Sequence, residues 1–284
     1  MSDKTVLILG CTSWIGFKLS LKMYQQGYTV TGTSRTMNLG MTWLNKQYAN
    51  LEPPYVQDLI DDLKPNIIIN LLRGEDIQGW NIFRKTVRPE CYYVYLSSSL
   101  ALDGYGPDVF LTDDLEPKSL SPYGMFKSRC EKYIKAEHDN YLIVRINSLH
   151  GFAPHKHTRT QLFLEKLKAG TNIIVDTGVV QSRLYDEDFN HLLLAHIKKE
   201  TKGTIHFASN EKTEEIDFLK KLATTFGYTK NNFIQGERRS LINGLEPSRL
   251  MFLNQSTHNL DDSALLVKLK SDKNLTKYIR SRYQ

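Results

Sequence analysis

The sequence predicts an α/β fold: a doubly wound parallel sheet with a small lobe toward the C-terminus. Three observations carry this expectation. Apolar runs of strand length recur along the chain and alternate with segments of helical spacing. The first run, Thr5-Val6-Leu7-Ile8-Leu9, contains no charge, as a strand buried on both faces should read. It breaks at a glycine turn that opens directly into a helical pattern, a layout that presents free N–H groups and a favourable dipole to an anion.

Taken in order, the first strand spans 5–9 and the first helix 14–26. The turn between them, Gly10-Cys11-Thr12-Ser13-Trp14-Ile15-Gly16, has the spacing G-x-x-S-x-x-G. Ser13 stands where a glycine would let backbone approach a pyrophosphate, and its hydroxyl could cap the helix or touch phosphate. Gly10, Thr12, Ser13, Trp14, Ile15 and Gly16 are the candidate cofactor residues, the alternative being an ordinary βα turn. Cys11, inside the turn, is a reactive thiol if the helix N-terminus lowers its pKa, and a packing residue otherwise. A second strand at 28–33 leads into Ser34-Arg35. No Asp or Glu occurs from Lys4 to Leu51, so the acidic group that would accept a ribose 2′-OH is absent. Ser34 and Arg35 instead suit the 2′-phosphate of NADP, which predicts a preference for NADPH with NAD as the lesser option.

Residues 34–54 are short and irregular for a crossover, which predicts a sheet trimmed at that edge. Further strands are expected at 67–72, 92–97, 141–147 and 204–208, and helices at 55–63, 122–137, 160–169, 185–199 and 214–226. Residues 148–183 and 228–262 lack strong periodicity. The expected organisation is therefore a dinucleotide-binding domain of residues 1–147 plus 184–208, with 148–183 and 209–284 forming a small substrate lobe.

The segment Ser121-Pro122-Tyr123-Gly124-Met125-Phe126-Lys127 carries the chemistry. Ser121 fits a helix N-cap and Pro122 the first helical position. Tyr123 and Lys127 then project from one face, one turn apart. An ammonium beside a phenol favours phenolate, which suits the tyrosine to acid–base work near neutral pH. The alternative is a surface tyrosine beside a solvated lysine. The strand ending Tyr92-Tyr93-Val94-Tyr95-Leu96 runs into Ser97-Ser98-Ser99, placing hydroxyls where doubly wound sheets bind ligands.

With Gly10 and Gly16, Ser99, Tyr123 and Lys127 in this order, the chain resembles the extended short-chain dehydrogenase/reductase family, whose fold is Rossmann-like. The family places its Ser or Thr five residues before a glycine; counting back from Gly104 gives Ser99, with Ser98 as reserve. Asp103 stands where that pattern often has Tyr. A finer resemblance is to dTDP-4-dehydrorhamnose reductases. It rests on Lys64-Pro65-Asn66-Ile67-Ile68-Ile69-Asn70, on Leu102-Asp103-Gly104 followed by Glu116-Pro117, on Val144 to Gly151, and on Arg183 to Phe189. It covers roughly residues 4 to 230. Leu71-Leu72-Arg73 departs from the small alanines that the relatives keep beside the cofactor, and His150 replaces an aromatic.

The resemblance implies an NAD(P)-dependent oxidoreductase that reduces a keto group on a nucleotide-activated deoxysugar of the 4-keto-6-deoxy type. Ser99, Tyr123 and Lys127 would be catalytic. Leu71 and Leu72 would line the cofactor, which Tyr123 and Lys127 would also contact, and Ser98, Asn147 and Arg183 would meet substrate. Arg183 equally suits a structural salt bridge. Two alternatives stand: a nucleotide-sugar epimerase or dehydratase of the same superfamily, and a non-catalytic regulatory subunit, as in methionine adenosyltransferase.

Composition fits a soluble enzyme. The 284 residues are 40% hydrophobic and 24% charged, enough for one domain with an appended lobe. No stretch approaches 18 uncharged apolar residues, so neither a signal peptide nor a membrane span is expected. Cys11, Cys91 and Cys130 are widely spaced and odd in number, which points to reduced thiols and a cytoplasmic setting. The net charge of +6 gathers in part at Lys268, Lys270, Lys273, Lys277, Arg280 and Arg282. Only Tyr278 and Tyr283 interleave there, which reads as a solvated terminal helix without nucleic-acid binding. His150, His155 and His157 cluster without a carboxylate or thiol at matching spacing, so no metal site is expected. A homodimer is compatible with the sequence.

Overall fold

Strands and helices largely alternate along the described residues, as expected for an α/β chain, and strand register decides where the site lies. The computed structural model describes residues 4–34, 40–49, 53–74, 76–106, 108–154, 157–229, 233–242, 244–248 and 260–272. Along the first part of the chain run strand β1 (Thr5–Leu9), helix α1 (Trp14–Gln25), β2 (Thr29–Ser34), β3 (Lys46–Ala49), α2 (Pro53–Leu63), β4 (Ile67–Asn70), α3 (Ile77–Thr86) and β5 (Tyr92–Leu96). A 3₁₀ turn η1 (Ser99–Leu102), α4 (Pro122–Glu137) and β6 (Tyr141–Ile146) follow. The later elements are β7 (Ser148–His150), α5 (Arg159–Lys168), β8 (Ile173–Tyr185), α6 (Asp186–Lys198), β9 (Gly203–Phe207), β10 (Lys212–Glu214), α7 (Glu215–Thr225), β11 (Phe233–Ile242) and α8 (Asp262–Ser271).

The main sheet has the order β3-β2-β1-β4-β5-β6-β9, and the pairs from β3 through β6 are parallel. Strand order steps outward from β1 to β3 and then reverses at β4, which puts the switch point between β1 and β4. Register aligns Thr33, Leu9, Asn70, Tyr95 and Ile143 in one row across the sheet. The glycine turn, Ser34, Leu71-Leu72 and Ser97-Ser98-Ser99 therefore all leave the same edge. Apolar packing holds this sheet. Leu7, Leu9, Ile68, Tyr93, Tyr95 and Ile143 form a buried cluster with Val56, Ile60, Phe83, Phe126 and Ile134 of α2, α3 and α4. Period-two alternation turns Val6 and Ile8 to the opposite face, and both are also fully buried.

The chain divides into two compact units. The first comprises Met1–Gly104, Glu116–Arg145 and Asn190–Ile205; the second comprises Tyr105–Leu115, Ile146–Phe189 and His206–Gln284. The second unit has its own four-stranded sheet, in which β8 pairs with β7 and β11 in parallel and with β10 antiparallel. Its core gathers Phe152, Leu164, Phe218, Leu222 and Leu269.

One expectation is corrected, and two elements appear that the sequence pattern does not announce. The edge at 34–54 is not trimmed: β3 pairs in parallel with β2, Thr31 opposite Lys46 through Ser34 opposite Ala49. Helix α3 is capped by Asp76, but Gly79 and the exposed Ile77 blur its amphipathic pattern. Strand β8 runs 13 residues through a stretch that shows no period of two, because most of its middle is only partly buried. Among the described residues no helix is long and apolar enough to cross a membrane. Lys273, Lys277, Tyr278, Arg280, Arg282 and Tyr283 lie outside the described residues, as do Arg35 and His155.

Candidate active site

Two glycines shape the turn after β1. Gly10 has φ of 87°, the left-handed region that a side chain resists. A Cβ on Gly16 would lie 2.4 Å from the Gly10 carbonyl oxygen, so helix α1 starts against the turn itself. Ser13 is the N-cap, and its Oγ accepts from the Gly16 N–H at 3.0 Å. The capping role open to this hydroxyl is filled, and its O–H can still donate to phosphate. The Gly10 and Cys11 N–H groups donate to the Thr33 carbonyl at 3.1 and 2.9 Å, pinning the turn to β2. Cys11 is fully buried; burial pushes its thiol up to about 12, and its Sγ would sit 2.6 Å from a Cβ on Gly32. It is a packing residue.

Thr12, Trp14 and Ile15 are half-buried on this turn, and Ser34 is buried at the end of β2. Leu72 covers the turn from β4: its Cδ2 lies 3.6 Å from a Cβ built on Gly10. A glycine turn with a positive φ, a helix N-terminus behind it and a switch point beside it fit a dinucleotide. Gly10, Gly16 and the first turn of α1 would hold it, with Leu71 and Leu72 as bulkier walls.

Tyr123 and Lys127 of α4 meet the η1 turn that begins at Ser99, beside the ends of β4 and β5. Lys127 is buried, and its Nζ donates to the carbonyls of Leu96 at 2.8 Å and Leu72 at 3.3 Å, joining the ends of β5 and β4. Two phenols flank this ammonium. Nζ lies 4.5 Å from the Tyr95 ring centroid and 5.7 Å from that of Tyr123. Tyr95 is fully buried, and desolvation holds its phenol far above the usual range, so it stays neutral. Tyr123 is half-buried, and the Arg73 guanidinium stacks on its ring at 4.7 Å. In sequence Arg73 is only a departure from the family's small residues; its place on Tyr123 follows from the fold.

Helix α4 reaches this position by close approach. A Cβ on Gly124 would lie 2.0 Å from the Leu100 carbonyl oxygen, so α4 rests directly on η1, which begins at the buried Ser99. Ser98 caps η1 by accepting from the Leu100 N–H at 3.2 Å. Asp103 fixes the other end: its carboxylate accepts from the Leu120 N–H at 2.6 Å, the Ser121 N–H at 3.3 Å and the Ser121 hydroxyl. Ser121 in turn accepts from the Gly124 N–H at 3.2 Å. Asp103 thus supports the N-cap of the helix carrying Tyr123. Gly124→Ala is expected to cost about 1–3 kcal/mol by forcing helix and turn apart, and to lower turnover by misplacing Tyr123 against Ser99. Chemical denaturation with steady-state kinetics checks both; an alanine protein of unchanged stability would contradict the close approach.

Under α4 lies a sealed ion pair. Glu131 and Arg145 are both fully buried; Arg145 donates from Nε to both carboxylate oxygens at 3.1 Å and from Nη2 at 2.7 Å. The Ser97 hydroxyl also donates to Glu131.

Asn147 and Arg183 belong to the second unit. The Asn147 side chain accepts from the Ser182 N–H at 3.0 Å. Arg183 is fully buried, pairs with Glu215 at 2.8 Å and Asp262 at 3.5 Å, and lies 4.3 Å over the Phe218 ring. The guanidinium thus has the protein partners of the salt-bridge alternative. His150 is buried between Ser148 and Thr160, where burial and then the charges of Arg159 and Arg183 hold its imidazole well below the usual range and neutral. His157 pairs with Glu165 at 3.1 Å. Among the described residues no group of three or more His, Cys, Asp or Glu could hold a metal ion.

No curated protein matches the chain in sequence. Solved structures match along nearly all of it. A dTDP-4-dehydrorhamnose reductase from Bacillus anthracis, in complex with NADP, superposes with TM-score 0.76 at 18% identity, covering 94% of this chain and 99% of that one. The Bordetella bronchiseptica enzyme WbmH in complex with NAD+ gives 0.76 at 16%, covering 93% and 96%. A UDP-glucose 4-epimerase from Thermotoga maritima, with UDP-glucose, gives 0.76 at 16%, covering 99% and 100%. At these identities the likeness is one of fold. The family model described as the RmlD substrate binding domain matches residues 80–244, more than half of the chain. The chain therefore belongs to the RmlD substrate binding domain family, on a Rossmann-like α/β fold.

Proposed function

We propose that the protein is an NAD(P)H-dependent oxidoreductase that reduces a keto group on a nucleotide-activated deoxysugar of the 4-keto-6-deoxy type. The observation that carries this reading is the meeting of Tyr123, Lys127 and the Ser99 turn at the carboxyl edge of β4 and β5, beside the glycine turn of β1. When bound, the nicotinamide supplies hydride to the carbonyl carbon. Tyr123 delivers a proton from its hydroxyl to the carbonyl oxygen. Lys127, held by the Leu72 and Leu96 carbonyls, stabilises the tyrosinate left behind and would hold the nicotinamide ribose. Ser99 donates a hydrogen bond to the same carbonyl oxygen, with Ser98 beside it for the sugar. Asn147 is proposed for the substrate side from its sequence position.

The test is NADPH and NADH oxidation with a panel of nucleotide-linked 4-keto-6-deoxy sugars. Turnover with at least one supports the reading; none with any sugar and either cofactor overturns it.

Cofactor choice rests on Ser34 and Arg35. NADPH is expected to bind at least several-fold tighter than NADH, and Arg35→Ala to remove most of that gap, as loss of a charged hydrogen bond of about 1.5–3 kcal/mol would. Calorimetric titration of both cofactors into both proteins reads it. A wild type that prefers NADH refutes the role of Arg35.

A further inference from the structure

We propose that Arg73 is a positioning residue for Tyr123, a second cation that holds the phenol ring and favours its ionised form. This deepens the proposed function and rests on Tyr123 as the acid. The guanidinium carbon lies 4.7 Å from the ring centroid, within cation–π range. Its backbone is held on both sides. Before it, the buried Asn70 donates to Thr86 at 3.1 Å and Tyr93 at 2.8 Å while accepting from the Leu72 N–H at 2.9 Å. After it, Gly74 crosses Gly79 so closely that a Cβ would fall 2.7 Å from the Gly79 Cα, locking the loop onto the first turn of α3. The Leu72 carbonyl next to Arg73 also accepts from Lys127. One short turn after β4 therefore presents a guanidinium to the tyrosine and a carbonyl to the lysine.

Other groups bear on Tyr123. Lys127 lies on its own helix, 5.7 Å from the ring centroid. Tyr95 approaches from β5 and stays neutral. Asp103, after η1, has its carboxylate engaged at the helix N-cap. Arg73 is the exposed cation of this set, and removing it leaves Lys127 in place.

The test uses tyrosinate absorbance of the whole protein without ligands. Wild type minus Tyr123→Phe isolates the ionisation of this phenol, and the same difference is taken in an Arg73→Gln background. Losing a cation makes phenolate harder to form, so the midpoint is expected to move up by about 0.5 to 1 in pH. Arg73→Lys, which keeps the charge but not the stacked plane, should recover part of that rise. In turnover, the alkaline fall in kcat should move to higher pH in Arg73→Gln while the cofactor KM stays near wild type. An unchanged ionisation midpoint overturns the inference. That readout needs neither sugar nor cofactor, so it is separable from failure of the reductase assignment.

Discussion

Tyr123→Phe is expected to lower the rate of the proposed keto-sugar reduction by about 10²–10⁴-fold, the range for removing a positioned proton donor. The substitution deletes one oxygen and keeps the ring, so the stacking of Arg73 and the packing of α4 on η1 survive. Folding should match wild type, and measuring cofactor affinity separately divides any lost cofactor contact from the loss of proton delivery. The neighbouring phenol cannot substitute. Tyr95 is sealed within the core and its hydroxyl stays protonated far above neutral pH. Single-turnover reduction, with cofactor binding measured alongside, reads the effect. Equal rates in the two proteins would remove Tyr123 from the mechanism.

Glu131→Ala is expected to destabilise the fold by about 3–5 kcal/mol, the range for leaving one partner of a buried ion pair uncompensated. Arg145 has no solvent to turn to, and the Ser97 hydroxyl loses its acceptor in the same step. Against a typical total of about 5–15 kcal/mol, that is a large share. Replacing both Glu131 and Arg145 by methionine should cost less than the sum of the two single alanine changes, because no charge is then left stranded. Denaturant unfolding of the three variants tests this. A loss below about 1 kcal/mol in Glu131→Ala would show that the pair is not sealed as described. The pair lies one turn beyond Lys127 on α4, so partial unfolding there should also weaken turnover.

Much of the first unit was legible in the linear order of residues because its signals are local. An uncharged run makes a buried strand, Ser121 and Pro122 start a helix, and four residues bring Tyr123 and Lys127 to one face. These need only strand and helix periods and the chemistry of caps. Strand β3 and helix α3 were not legible, since β3 is short and earns its place by pairing with β2, while Gly79 and exposed Ile77 mask the face of α3.

Tertiary contacts decided the rest, because each depends on residues far apart in the chain meeting in space. Arg73 reads as a misfit beside the cofactor turn until β4 and α4 are laid side by side, and then it lies on Tyr123. Asp103 reads as a missing tyrosine until its carboxylate is found bracing the helix start 18 residues later. Arg183 suits a phosphate in sequence, yet burial between Glu215 and Asp262 gives its charge a protein partner. Ser13 suits a cap in sequence, and the tight start of α1 at Gly16 brings the N–H that its hydroxyl caps. Residue type and spacing set which chemistry the chain could perform; burial and long-range packing set which of its charges are left to perform it.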